Sequence, residues 1–240
     1  MSDSRVVFAL DLPTFEAARK MALAVRDAVG MLKVGLELFV EAGPRAVAIG
    51  DEAGRPVFLD LKLHDIPETV ERAVARASGL GVRMLTVHAS GGPEMLRRAV
   101  ERARKEGRGL ELVAVTVLTS LDIDDLHAIG ITEDVAAHAE RLARVAWEQG
   151  VRAFVCSPHE AARLRSTLGP EATLITPGVR PAGEGGRDDQ KRTMSAREAI
   201  EAGATWVVVG RPIRDAPDPL GVARDLAAEV DGALASRRMR

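Results

Sequence analysis

Between Pro56 and Ile66 the chain reads PVFLDLKLHDI, a β-prone apolar run interrupted by Asp60, Lys62 and Asp65. Strand side chains alternate faces, so Asp60 and Lys62, two apart, share one face, while Leu59, Leu61 and Leu63 take the other. Two readings of the Asp60–Lys62 pair follow. It is a buried structural ion pair, a weak source of net stability because desolvation offsets the attraction. Or it is a functional pair at a strand end, set at the mouth of a site where ionisations are tuned. Asp65 also has two readings: it caps the next helix, with Pro67 and Glu68 completing a capping-box pattern, or it joins the charged array.

The elements that must hold these residues follow from the rest of the chain. Short β-rich runs recur at 6–11, 31–36, 56–62, 84–89, 112–118, 153–157, 173–178 and 206–211, and segments of helical spacing such as 14–29 and 131–150 lie between them. Strands alternating with helices indicate βαβ units and a parallel sheet. Eight such units predict a (β/α)8 TIM barrel, a single domain over residues 1–240. The alternative, an open doubly wound sheet, lacks a G-x-G-x-x-G after the first strand. In a barrel the site lies at the C-terminal strand ends. Those ends collect Asp11, Lys33, Asp60, Lys62, His88, Thr119, Ser120, Ser157, Arg180 and Arg211. Gly210 and Arg211 end the eighth run, where barrels often bind phosphate. Long loops are expected after the fifth strand (TSLDIDDLHAIGIT) and after the seventh (residues 178–194), the second a candidate lid.

Other chemistries fare worse. No Cys/His cluster has metal-ligand spacing, and two lysines beside the carboxylates would repel a divalent cation. No G-x-S-x-G elbow occurs. His64 falls on the leucine face and is expected to pack; His88 could line the pocket or make a structural hydrogen bond. His127, His138 and His159 fall at surface or helix positions. Cys156, the single cysteine, reads as a small buried hydrophobe. Of 33 basic residues only five are Lys, which makes Lys33 and Lys62 conspicuous. The net charge of −2 gives no case for nucleic acid or a membrane surface. No signal peptide or membrane span is read, so a soluble cytoplasmic protein is expected.

Taken in order, FALD, LKVGLELF, FLDLKLHDIPETV, VTVLTS, TPGVRP…DDQKR and VVVGRPI resemble the orotidine 5'-phosphate decarboxylase family over almost the whole chain. Asp60-x-Lys62-x-x-Asp65 is the most diagnostic part. The resemblance implies a homodimeric barrel that makes UMP from orotidine 5'-phosphate without metal or organic cofactor. It implies that Lys62 donates the proton to C6, with Asp60 near the departing carboxylate. Lys33 and Asp11 would bind the ribose and extend the charge network. Asp65 would reach in from the partner subunit with Thr69 nearby. Thr119 and Ser120 would contact the pyrimidine, and Arg180, Gln190, Gly210 and Arg211 the phosphate and lid. The stretch from Arg180 to Gln190 is one residue longer than the family pattern. Related sugar-phosphate decarboxylases and aldolases share the Asp-x-Lys-x-x-Asp element but hold Mg²⁺ partly through an acid at the end of the second strand, where this chain has Lys33. A non-catalytic barrel that binds a phosphate ligand is the other alternative.

Overall fold

The structure is a computed structural model that describes residues 4–179 and 194–238; Arg180 and Gln190 lie outside the described residues. Eight parallel strands close on themselves in sequence order: β1 (Val6–Ala9), β2 (Met31–Gly35), β3 (Val57–Leu63), β4 (Met84–His88), β5 (Glu111–Val115), β6 (Ala153–Val155), β7 (Thr173–Thr176) and β8 (Trp206–Val209), with β8 pairing back onto β1. Around them run α1 (Phe15–Val25), α2 (Leu36–Ala42), α3 (Pro44–Ala53), α4 (Pro67–Ser78), α5 (Gly92–Glu106), α6 (Ile123–Ala128), α7 (Val135–Glu148), α8 (Pro158–Leu168), α9 (Ala196–Glu201), α10 (Arg211–Arg214) and α11 (Pro219–Arg238). This is the expected (β/α)8 barrel.

Alternation along each strand separates two cores. Val7, Ala9, Met31, Phe58, Met84, Val113, Ala153, Ile175 and Val208 fill the barrel interior. Val6, Phe8, Leu32, Val34, Leu59, Leu85 and Leu174 point outward under the helices. Burying one such large side chain contributes about 1.5–3 kcal/mol, and a one-residue slip would exchange the two sets. Local chemistry starts the helices. The Thr14 hydroxyl accepts from the Ala17 N–H at 3.2 Å, and Ser195 with Glu198 forms a capping box at α9.

Three local expectations change. Most strands stop two or three residues short of the apolar runs, so Asp11 and Thr119 stand just beyond β1 and β5, and Arg211 opens α10 after β8. The loop after β5 contains a helix, α6, started by a capping box between Asp122 and Asp125. Asp65 does not cap α4. The N-cap is Ile66, with no side-chain cap bond, and the Asp65 carboxylate instead accepts from the adjacent Ile66 N–H at 2.6 Å. Pro67 at the first helical position sets the start one residue later than a capping Asp65 requires.

Candidate active site

β3 is irregular where its charges lie. Leu59 is in register with Leu85 on β4, but the next matched pair is Leu63 with Val87, so Asp60, Leu61 and Lys62 stand opposite Thr86 alone. This is a bulge, a device that re-aims side chains beside sites. Lys62 has φ 52°, the only positive φ among the described residues other than glycine. A left-handed lysine costs on the order of 1–3 kcal/mol and persists only where its surroundings impose it. Strict alternation therefore explains Asp60 but not Lys62, which reaches Asp60 by a backbone reversal. The reversal also breaks the pattern further on. His64 is exposed rather than packed with the leucines, its ring centroid 5.3 Å from that of His88.

The side chains at the ends of β1, β2 and β3 form one chain of alternating charge. Lys33 Nζ lies 3.3 Å from Asp11 Oδ1 and 3.4 Å from Asp60 Oδ2, and Lys62 Nζ lies 2.8 Å from Asp60 Oδ1. Lys33 and Asp60 are each 12 % exposed, Lys62 37 %. Burial pulls the Lys33 ammonium toward neutrality, but Asp60 and Asp11 outweigh it and its pKa ends raised. Burial likewise opposes ionisation of Asp60, yet Lys33 and Lys62, with hydrogen bonds from Lys62 and Thr86, hold its pKa below the usual carboxylate value. Both inner members are thus charged at neutral pH, and Lys62 is the cation that presents its head outward.

These groups open into a cavity of about 540 Å³ at the C-terminal mouth of the barrel. Ala9, Phe58, Val115, Val155 and Val208 supply apolar lining; Asp11, Lys33, Asp60 and Lys62 come from β1–β3 and the turn after β1, Thr119, Pro177 and Gly178 follow β5 and β7, and Gly210 and Arg211 follow β8, next to Asp11. Ser120 is exposed and outside the lining, as are Asp65 and Thr69. His88 is outside it too; burial first, then the charges of His64 and Lys62, lower its pKa. Cys156 is fully buried, as expected. Among the described residues no three His, Cys, Asp or Glu side chains gather as a metal site would require.

Sequence reasoning missed four residues. Glu37 and Arg214 line the cavity, and the Arg214 guanidinium donates to the Asp11 carbonyl at 3.0 Å. Gly35 leaves room for the first ion pair, since a Cβ there would stand 3.1 Å from both Asp11 Oδ1 and Lys33 Nζ. Thr86 is fully buried and bonded to both Lys62 and Asp60. The alternation that picked out Asp60 would have placed Thr86 on the interior face of β4, two residues after Met84.

Known proteins show the same arrangement of sequence and fold. The family model described as "Orotidine 5'-phosphate decarboxylase / HUMPS family" matches residues 4–226. The orotidine 5'-phosphate decarboxylase of Anaeromyxobacter sp. (strain K) is 54 % identical over 224 residues, 93 % of this chain and 97 % of that protein. That of Moorella thermoacetica is 46 % identical over 233 residues, 95 % of this chain and 92 % of that protein. The crystal structure of orotidine 5'-phosphate decarboxylase from Lactobacillus acidophilus superposes with a TM-score of 0.81 at 33 % identity, covering 95 % of this chain and 100 % of that one. With an unbroken match running from the first strand into the last helix, the chain belongs to the orotidine 5'-phosphate decarboxylase / HUMPS family.

Proposed function

We infer that this chain decarboxylates orotidine 5'-phosphate to UMP, the reaction named for its curated relatives. The observation that carries the reading is the Asp11–Lys33–Asp60–Lys62 chain, which ends on an accessible ammonium at the edge of a cavity lined about equally by polar and apolar surface. Loss of CO₂ from C6 of the pyrimidine leaves a carbanion that the ring delocalises poorly. Its bonding pair needs a cation beside it and then a proton. Lys62 supplies both, and a guanidinium could not readily supply the second. A unit charge pair at ~4 Å and an effective dielectric of ~20 is worth ~4 kcal/mol. Enzymes lower barriers by roughly 8–23 kcal/mol, so further help comes from preorganised dipoles and from phosphate binding remote from C6. Gly210 and Arg211, which line the cavity beyond β8, would take that phosphate, and Thr119 the pyrimidine.

The metal-dependent sugar-phosphate branch fits less well. Both Asp11 and Asp60 are already in ion pairs with Lys33, which occupies the place of that branch's second-strand acid. The deciding experiment follows loss of orotidine absorbance together with UMP formation. Binding of orotidine 5'-phosphate without turnover would favour a silent binding barrel. Activity abolished by EDTA and restored by Mg²⁺ would favour the metal-dependent branch.

The same reading assigns Asp65 and Thr69 to a neighbouring subunit's site. Both are exposed and outside their own cavity, and Leu36 and Val40 on α2 and Ile66 at the start of α4 are exposed apolar side chains suited to cover by a second copy. Co-expressed Lys62→Ala and Asp65→Ala chains test it. In a mixed two-fold dimer one site collects both defects and the other neither; random pairing makes about half of the dimers mixed, so about a quarter of all sites are intact and activity returns to about that fraction of wild type. Verified mixed dimers that stay inactive would keep Asp65 within its own subunit.

A further inference from the structure

Lys62 is held in an unfavourable backbone conformation, and the group that holds it there is not part of the cavity wall. In a regular parallel ladder the Lys62 N–H would bond a carbonyl of a neighbouring strand. The bulge between Leu59 and Leu63 removes that partner. The Thr86 hydroxyl takes its place, accepting from Lys62 N at 2.7 Å. The same hydroxyl is 3.1 Å from Asp60 Oδ1, the carboxylate oxygen that Lys62 Nζ contacts at 2.8 Å. A hydroxyl can accept from an N–H and donate to a carboxylate at once. The result is a closed ring: Lys62 backbone, Thr86 hydroxyl, Asp60 carboxylate, Lys62 ammonium.

The surroundings leave Thr86 little freedom. It is fully buried, faces the barrel interior between Met84 and His88, and is paired in register with Val113 of β5. Its β-branched side chain has few rotamers to choose from. A rigid hydroxyl on the neighbouring strand therefore sets both the direction in which Lys62 leaves the backbone and the position of the carboxylate beside its ammonium.

We propose that Thr86 is the positioning residue of this site, clamping the β3 bulge so that Lys62 meets the reacting carbon while Asp60 stays in place. The proposal rests on the decarboxylase reading given above. Thr86 touches no substrate; it acts through Lys62 and Asp60.

Thr86→Val removes the hydroxyl at nearly constant shape, and Thr86→Ser keeps it. For Thr86→Val, kcat in single turnover should fall about 10²-fold, the scale of a misplaced reacting group, while affinity for UMP changes by less than about twofold. A UMP analogue with negative charge at C6 should lose much of its advantage over UMP in Thr86→Val, because the ammonium it meets is displaced. Thr86→Ser should recover most of both properties. If Thr86→Val does not fold, Thr86→Cys, similar in size but with a weak hydrogen-bonding group, carries the same comparison. Unchanged kcat in the folded variant, equal loss in Thr86→Ser, or UMP affinity falling in step with kcat would each overturn the proposal. Wild-type protein run alongside separates the two readings: if it does not decarboxylate, the parent reading fails; if it does and Thr86→Val keeps pace, only the proposal fails.

Discussion

The mouth of the barrel has two unlike halves. At the ends of β1–β3 two cations and two anions cancel one another in a line, each inner group paired on both sides. From β5 round to β8 the cavity wall is mostly apolar side chain and backbone, with Thr119, Arg211 and Arg214 as its polar side chains among the described residues. The first half has its charges fixed before any substrate arrives, as electrostatic preorganisation requires. The second offers shape, hydrogen-bonding backbone and cationic heads, as ligand binding requires. On the proposed reading, chemistry and grip are divided between two arcs of the mouth that meet where β8 closes on β1, and substitutions in the two should fail in different kinetic parameters.

The largest effect should come from the charged wall. On the proposed reading Lys62→Ala removes both the proton donor and the cation beside C6, so kcat should drop by at least about 10⁴-fold, the upper end for one acid–base group. UMP affinity should change far less. A Lys62→Ala enzyme that turns over within about tenfold of wild type would move the chemistry elsewhere and erase the division between the walls.

Arg211→Ala should act on the other wall. Losing a hydrogen bond to a charged partner costs about 1.5–3 kcal/mol, so kcat/KM should fall by about 10–10²-fold, with KM rising. Turnover should also slow, since phosphate binding helps organise the reacting end. Steady-state kinetics with orotidine 5'-phosphate, beside a substrate lacking the phosphate, would check it: the variant should lose much less on the truncated substrate. Equal losses on both would put the phosphate somewhere other than Arg211.

Gly35 sharpens the comparison at smaller scale. A methyl group there would crowd Asp11 Oδ1 and Lys33 Nζ at 3.1 Å without touching the apolar wall. Both are ends of side chains and can shift by a few tenths of an ångström. Gly35→Ala should therefore lower kcat by no more than about tenfold and leave the fold intact. A folded variant with normal kcat would mean that the spacing of this pair is loose.

How much of this was legible in the sequence differs between the walls. The barrel was readable because each strand carries its own apolar signal and each helix its own period. Asp60 was readable because it breaks a β-rich run on a known face. Lys62 reached the right place for a reason alternation does not supply, since its positive φ depends on a hydroxyl contributed by the next strand. The Arg214 contact to the Asp11 carbonyl joins residues 203 apart and exists only because β8 closes on β1. Asp65 stayed open between a cap and the charged array because Asp, Pro and Glu at those spacings do start helices; the structure removes the first reading, with Pro67 fixing the first turn and Ile66 as cap.

The smallest effect is on stability against pH, and it should distinguish the walls without any substrate. The Asp60 pKa is lowered in the folded chain, by Lys33 and Lys62 against the opposing effect of burial. Such a group stabilises the fold above its unfolded pKa, ~3.9, and loses that contribution as pH falls through the lower folded value. Lys33 has the opposite sign. Its pKa is raised against burial by Asp60 and Asp11, so its contribution is complete below ~10.4, the unfolded value, and disappears as pH rises through the higher folded one. Between these limits the charged wall should give a flat plateau. Asp60→Asn keeps the shape of the side chain but has no proton to exchange, and it leaves Lys33 and Lys62 facing each other across a neutral amide. Its deficit relative to wild type should be full near pH 7 and should shrink as pH drops below ~4, where the unfolded wild-type chain takes up a proton at Asp60 before the folded one does. Arg211→Ala should keep the Asp60-linked part of the wild-type pH dependence, because Arg211 stands outside the Asp11–Lys33–Asp60–Lys62 chain of ion pairs; its charge instead adds to the Arg214 hydrogen bond in lowering the Asp215 pKa. Urea midpoints for the three proteins across pH 3–8 would read the difference. A deficit in Asp60→Asn that is constant with pH would show that Asp60 is held by packing rather than by its charge.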